Sequence, residues 1–251
     1  MKRHIPNFIT LLNLLSGCIA VVLAVNNHFV TAAIFMFLGI FFDFFDGFFA
    51  RKLNVSGPLG VQLDSLADMV TSGLVPGVVM FKMLHLSLGK PVAEGSEALW
   101  SGANFWEGLD YAPLAFVGFL ITLSSAYRLA KFNIDEDQQS YFKGLPTPAN
   151  ALLILSLPLI IEFQNNDLMN SLILNPWFLV FVTLVSSYML NAPVNLFALK
   201  FKTYDFKSNI TRYVFLILTI IFLIVLQFAA IPLVIILYIL LSLLTAKNIK
   251  A

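Results

Sequence analysis

Four aspartates, Asp43, Asp46, Asp64 and Asp68, are the residues of this chain best placed to do chemistry. They occur as Asp43-Phe-Phe-Asp46-Gly47-Phe-Phe-Ala50-Arg51 and, eight residues later, Gly60-Val-Gln-Leu-Asp64-Ser-Leu-Ala-Asp68. A charge near the centre of a bilayer costs roughly 2.5–3.5 kcal/mol on insertion scales, so four of them in so apolar a stretch need a compensating cation. Residues three and four apart share a helix face. Asp43, Asp46, Gly47, Ala50 and Arg51 therefore form one stripe, and Gly60, Asp64 and Asp68 a second. The link between the stripes contains Asn54, Ser56, Gly57 and Pro58, a turn composition. Two antiparallel helices joined by it can aim all four carboxylates into one cavity.

Oxygen-only ligation suits hard divalent ions such as Mg2+ and Mn2+ rather than zinc. Four carboxylates are enough for a pair of such ions, about 3.5–4 Å apart, the arrangement used in phosphoryl chemistry. Gly47 removes a side chain where a phosphate or substrate backbone must come close, and Arg51 offers a fixed fork for phosphate oxygens. Six phenylalanines between Phe41 and Phe49 occupy much of the remaining circumference and face lipid or neighbouring helices. Carboxylates kept only for structural ion pairs are the competing explanation, but Arg51 and Lys52 can neutralise two of the four at most.

The elements that position these side chains are membrane helices. The chain has 251 residues, 59% hydrophobic and 12% charged, with mean hydropathy +0.87, whereas soluble domains carry about 25% charged residues. A net charge of +1 gives no argument for nucleic acid. Cys18 is the only cysteine and the histidines are scattered, which leaves no disulfide framework and no thiolate or imidazole metal site. A spanning helix needs about 20 mostly apolar residues. That rule gives eight candidates, near 8–25, 29–50, 61–84, 111–130, 147–163, 175–192, 211–229 and 231–246. The expectation is an all-α, polytopic membrane bundle of about eight transmembrane helices forming one domain over 1–251. Its catalytic core covers about 5–200, and 201–251 holds a basic loop and the last two helices. Residues 1–25 have a basic start and an apolar run, yet Asn7, Asn13 and Ser16 suit a retained first span better than a cleaved leader.

Lys and Arg set the orientation. With the N-terminus in the cytoplasm and eight spans, 13 of the 15 basic residues fall on the cytoplasmic side, and Lys82 and Lys90 fall outside. The outer loops collect Glu94, Glu97, Glu107, Asp110, Glu162 and Asp167, and the loop around 84–110 carries Trp100 and Trp106. The carboxylates then lie at the cytoplasmic ends of the second and third helices.

The carboxylate pattern resembles the signature of the CDP-alcohol phosphatidyltransferases, Asp-x-x-Asp-Gly-x-x-Ala-Arg, eight residues, Gly-x-x-x-Asp-x-x-x-Asp, at every position. The resemblance implies an all-helical membrane enzyme, commonly a homodimer, with its site open to the cytoplasmic leaflet. It also implies roles: Asp43 and Asp64 bridge two divalent ions, Mg2+ or Mn2+. Asp46 completes one shell, while Asp68 contacts the other ion and acts as general base. Gly47 and Arg51 meet the CDP part. Relatives carry a hydroxyl residue six positions after the arginine, where this chain has Gly57 with Ser56 beside it. Pro6-Asn7-Phe-Ile-Thr10 is similar to the family's first-helix segment near the nucleotide, where Asn7 and Thr10 offer hydrogen bonds. Capping of the first helix is an equally good explanation of that pair.

Further on, Arg128-x-x-x-Phe132-Asn133, Phe142-x-Gly144-Leu145-Pro146-x-Pro148 and, more weakly, Tyr188-Met-Leu-Asn-Ala-Pro193 with Lys200 resemble the phosphatidylserine synthase branch of that family. The implied reaction is transfer of the phosphatidyl group from CDP-diacylglycerol to L-serine in phospholipid biosynthesis, with release of CMP. Arg128, in the link after the fourth span, can hold the serine carboxylate in a bidentate pair, and Asn133 can assist. A sister transferase using glycerol phosphate or inositol phosphate is the alternative, and a membrane cation transporter the alternative of a different class. The implied partners are the two substrates and membrane lipids. The implied location is the inner, cytoplasmic membrane, crossed several times.

Overall fold

The first two helices, α1 (His4–Val25) and α2 (Phe29–Lys52), form an antiparallel pair. Each ends in the same way. Asn27 (φ 62°) and Asn54 (φ 53°) take the left-handed conformation after the last turn. The next amide then reaches back to the exposed carbonyls, His28 N to Leu23 O at 2.9 Å and Val55 N to Ala50 O at 3.0 Å. Asparagine tolerates this geometry and closes the helix end. Pro58 then opens α3 (Pro58–Asp68) at its first turn, where a missing amide proton costs nothing. A short asparagine-and-proline link thus turns the chain back and sets α3 beside the end of α2. The computed structural model describes residues 4–89, 112–134, 141–164, 166–197 and 209–249.

After Asp68 the helix runs on through one π turn, Met69–Leu74, into α4 (Val75–Ser87). The expected third span is therefore widened at its middle. Every residue from Val75 to His85 is buried, which makes α4 the central rod of the bundle. Small residues allow its neighbours to close on it. A Cβ added to Gly118, in the 3-10 turn Pro113–Phe119, would lie 2.6 Å from the Phe81 amide nitrogen, and one added to Gly77 would overlap the Thr122 hydroxyl.

The next helix, α5 (Leu120–Ile134), continues four residues beyond the expected end of the fourth span. Arg128 lies well inside this helix, only 8% exposed, and not in the link expected for the Arg128–Asn133 motif. The physical reason is that the guanidinium has an opposite charge to meet inside, the Asp68 carboxylate. A three-residue antiparallel ribbon, β1 (Tyr141–Lys143) with β2 (Asn195–Phe197), joins the links that follow α5 and α8. Gly144 (φ 76°) packs on the Leu190 carbonyl, a contact that a side chain would block.

The remaining helices are α6 (Thr147–Gln164), α7 (Asp167–Ile173), α8 (Pro176–Asn191), α9 (Ile210–Leu226) and α10 (Ala230–Ile249). The side chains of Asn166 and Asn175 cap α7 and α8; these two helices meet at a 65° bend. Among the described residues, six helical stretches are long and apolar enough to cross a bilayer, or seven counting the bent α7–α8 pair. The last stretch, Ile210–Leu244, reverses direction at Gln227 (φ 48°). The Phe215 and Tyr238 rings on its two limbs come within 5.7 Å, and Gln164 clamps the turn by bonding Leu226 O and Ala229 N, each at 2.9 Å. With its limbs counted separately, the eight expected spans are all represented. The protein is an all-α, multi-pass membrane bundle. Phe41, Phe44 and Phe48 are exposed along α2, as expected of a lipid-facing side. The positions Lys2, Arg3, Lys90, Glu94, Glu97, Trp100, Trp106, Glu107, Asp110, Lys200, Lys202, Lys207 and Lys250 lie outside the described residues.

Gly118→Val forces side-chain atoms into the Phe81 backbone. Overpacking of this kind costs about 1–3 kcal/mol, so thermal unfolding of the purified protein in detergent should begin at a clearly lower temperature than in wild type.

Candidate active site

α2 presents Asp43 and Asp46 from its last turns, and α3 presents Asp64 across the Asn54 turn. One carboxylate oxygen from each of the three lies within 4.8 Å of the other two. The Asp43 and Asp64 carboxylates are close enough to interact directly. Asp46 is 5% exposed and accepts a hydrogen bond from Thr10 Oγ1 on α1, at 2.6 Å. Asp68 stands one turn beyond Asp64. It interacts with all three of the other carboxylates, accepts a 3.4 Å hydrogen bond from Asn13 Nδ2, and has Arg128 as its counter-charge. The two stripes read from the sequence do converge, and α1 closes the group from the third side.

A cavity of about 180 Å³ opens beside this cluster. Asn7, Thr10, Gly47, Arg51, Ser56 and Gly57 all line it, together with Asp46 and Asp64. Asn7 and Thr10 do not cap α1, because the helix already includes His4; both are one or two turns inside it and face the cavity. A Cβ at Gly47 would meet only the Arg51 guanidinium, at 3.8 Å. No protein group occupies that position, so the space belongs to the cavity. Gly57 is extended (φ −162°) and precedes Pro58, while Ser56 is exposed at the rim.

Arg128 and Asn133 do not line this first cavity. Arg128 lines a smaller one of about 80 Å³ with Lys131, Lys143 and Asn191 among its walls, and its Nε has no hydrogen-bond partner. Asn133 is engaged with Ser65, donating from Nδ2 at 2.9 Å and accepting at 3.2 Å. That pair holds the end of α5 against α3 beside Asp64. Sequence reasoning missed Asn13, Ser65 and Thr71 as members of the site. Asn13 and Thr71 carried a readable signal, being polar residues inside apolar spans at helical spacing from Thr10 and Asp68.

The sequence pattern of the CDP-alcohol phosphatidyltransferase family matches residues 3–187. The chain belongs to that family. CDP-alcohol phosphatidyltransferases are metal-dependent, and the donor set fits: three carboxylates whose oxygens lie within 4.8 Å of one another, with no nitrogen or sulfur ligand among the described residues. Such a set suits a hard divalent cation. Among curated relatives, the chain is 32% identical over 159 residues to the CDP-diacylglycerol–serine O-phosphatidyltransferase of Bacillus subtilis, covering 62% of this chain and 75% of that one. It is 32% identical over 170 residues to the enzyme of the same name in Saccharomyces cerevisiae, covering 61% and 53%. It is 28% identical over 156 residues to the archaetidylserine synthase of Methanothermobacter thermautotrophicus, covering 61% and 56%. The match thus spans only about half the length of the last two relatives.

Clustered carboxylates repel one another unless a cation is bound. Without added metal, Asp64→Asn should therefore unfold at a higher temperature than wild type. Added Mn2+ should raise the melting temperature of wild type and move that of Asp64→Asn far less. Thermal scans with EDTA and with Mn2+ measure both shifts.

Proposed function

We propose that this chain transfers the phosphatidyl group of CDP-diacylglycerol to the hydroxyl of L-serine, yielding phosphatidylserine and CMP. The observation that carries the proposal is a cavity walled by Asp46, Asp64 and Arg51, with a second, basic cavity at Arg128, whose guanidinium interacts with Asp68. The first cavity has Arg51 and an open Gly47 beside the carboxylates, which suits a diphosphate. The second has Arg128 at a wall, with Asp68 as its interacting neighbour. A guanidinium with an unpartnered Nε suits a carboxylate, and serine carries one. The names of the similar proteins support the same acceptor.

In this reading Asp43, Asp46, Asp64 and Asp68 hold two divalent cations, Mg2+ or Mn2+. When bound, these neutralise the diphosphate and the charge that develops on the CMP leaving group. Thr10 keeps Asp46 oriented. Asn7, Thr10, Gly47, Arg51, Ser56 and Gly57 receive the cytidine diphosphate. Arg128 binds the serine carboxylate, and Asn133, through Ser65, secures the wall of α5. Asp68 takes the proton from the serine hydroxyl as its oxygen attacks the phosphorus that bears diacylglycerol. The bond from that phosphorus to the oxygen of CMP breaks in the same displacement. An apolar groove of about 500 Å³ between α2, α6, α9 and α10 receives lipid tails from the side.

The proposal extends to the setting. The whole chain acts as a single membrane domain, whose catalytic core is about 5–200. It resides in the inner membrane as a homodimer, with the acidic cluster facing the cytoplasm, in accordance with the distribution of Lys and Arg.

CMP release by purified protein, measured with serine, glycerol phosphate and inositol phosphate in turn, tests the assignment. Serine should support release, whereas robust release with glycerol phosphate and none with serine would overturn it. Asp68→Asn should abolish release while leaving the melting temperature at or above that of wild type. Arg128→Lys, which keeps the charge but removes the fork, should raise the KM for serine about tenfold or more and leave that for CDP-diacylglycerol unchanged.

A further inference from the structure

We infer that Asn13 and Thr71 form a relay that orients the Asp68 carboxylate, and that both are positioning residues of the transfer reaction. The inference rests on the role proposed above for Asp68. Asn13 and Thr71 are both fully buried. Thr71 Oγ1 donates to Asn13 Oδ1 at 2.7 Å and also approaches the Asn13 carbonyl at 3.2 Å. Asn13 Nδ2 in turn donates to Asp68 Oδ1 at 3.4 Å. The relay therefore runs from hydroxyl to amide to carboxylate across two helices.

Its direction follows from the donors available. A side-chain amide presents an acceptor on one end and two donors on the other. The single hydroxyl proton of Thr71, given to Oδ1, holds the amide with its NH2 group toward Asp68. A reversed amide would set a carbonyl oxygen against a carboxylate and leave the threonine proton facing NH2. An asparagine donor also differs from a lysine or arginine in effect. It fixes one carboxylate oxygen without cancelling the charge and leaves the second oxygen for the acceptor's proton.

The backbone is shaped to admit this contact. Thr71 lies in the π turn that begins at the residue after Asp68, and such turns recur at functional sites. Two glycines on separate helices face it. A Cβ at Gly17 would lie 2.5 Å from Thr71 Oγ1, and one at Gly39 would lie 2.6 Å from Thr71 Cγ2 and 2.9 Å from Asn13 Oδ1. Both α1 and α2 thus give up a side chain at the point where the relay passes between them.

The test uses the full chain in detergent or lipid nanodiscs, with CMP release measured for whichever alcohol the wild type accepts. Thr71→Val keeps the shape and removes the proton. It should lower kcat by ~10–100-fold, the range seen when a partner that orients a metal-site ligand is removed, with KM for both substrates little changed. Thr71→Ser should restore activity, a result that lost packing would not produce. Asn13→Ala should match Thr71→Val, and the double variant should be no worse than Asn13→Ala alone, because Thr71 acts through Asn13. Calorimetric affinity for Mn2+ alone should fall in the same variants, independently of turnover. Wild-type kcat and Mn2+ affinity in Thr71→Val would overturn the relay, as would losses that multiply in the double variant. If Thr71→Val does not fold, Thr71→Ala, which fits the same space, gives the same reading. A wild type that releases no CMP with any alcohol would instead overturn the proposed function, and the relay with it.

Discussion

Repulsion among carboxylates held in an apolar surround is the interaction on which this structure turns. Two like charges about 4 Å apart oppose each other by about 4 kcal/mol even at an effective dielectric constant near 20. Asp43, Asp46 and Asp64 meet within 4.8 Å, with Asp68 one turn away. The protein offers them the Thr10 hydroxyl, the Asn13 amide and the Arg128 guanidinium. These donors orient the oxygens and offset only part of the repulsion. A fold that stores charge in this way is suited to receive cations, and through them a diphosphate.

The rest of the bundle makes that concentration of charge tolerable. α4 is buried from Val75 to His85 and gives α3 a fixed base. The asparagine turn at residue 54 holds α2 and α3 antiparallel at close range. Polar residues of α1 (Asn7, Thr10 and Asn13) face the cluster, while Phe8, Leu11 and Leu15 of the same helix are exposed. Each helix at the site is divided in this sense, with an acidic or hydrogen-bonding face inward and an apolar one toward lipid. The division lets a charged centre sit inside a membrane bundle.

Arg128 shows how one charge interaction can overrule a general rule. Basic residues favour the ends of spans and the cytoplasmic links, which is where spacing alone puts it. The structure instead buries it in α5, because Asp68 offers a counter-charge there and the helix continues to Ile134. In the reading proposed above, a group bound at Arg128 and a group bound over the acidic cluster would both have Asp68 as a neighbour.

Much of this was legible in the chain as written. Long apolar runs announced the spans, because a bilayer leaves its solvent requirement on some 20 consecutive residues. The interval between Asp43 and Asp68 announced the acidic cluster, because helical periodicity and one short turn determine which side chains share a face. What spacing could not decide were the meetings of helices distant in sequence: the hydrogen bonds of Thr71 to Asn13 and of Asn133 to Ser65, and the charge interaction of Arg128 with Asp68. The π turn after Asp68 was equally hidden, since nothing in Met69–Leu74 marks a widened turn by composition. Local sequence determines periodicity and turn chemistry, and hence which residues can face inward. Only the packing of α1 and α5 against α3 decided which polar groups would meet there, because that choice depends on shape and charge contributed by every helix at once.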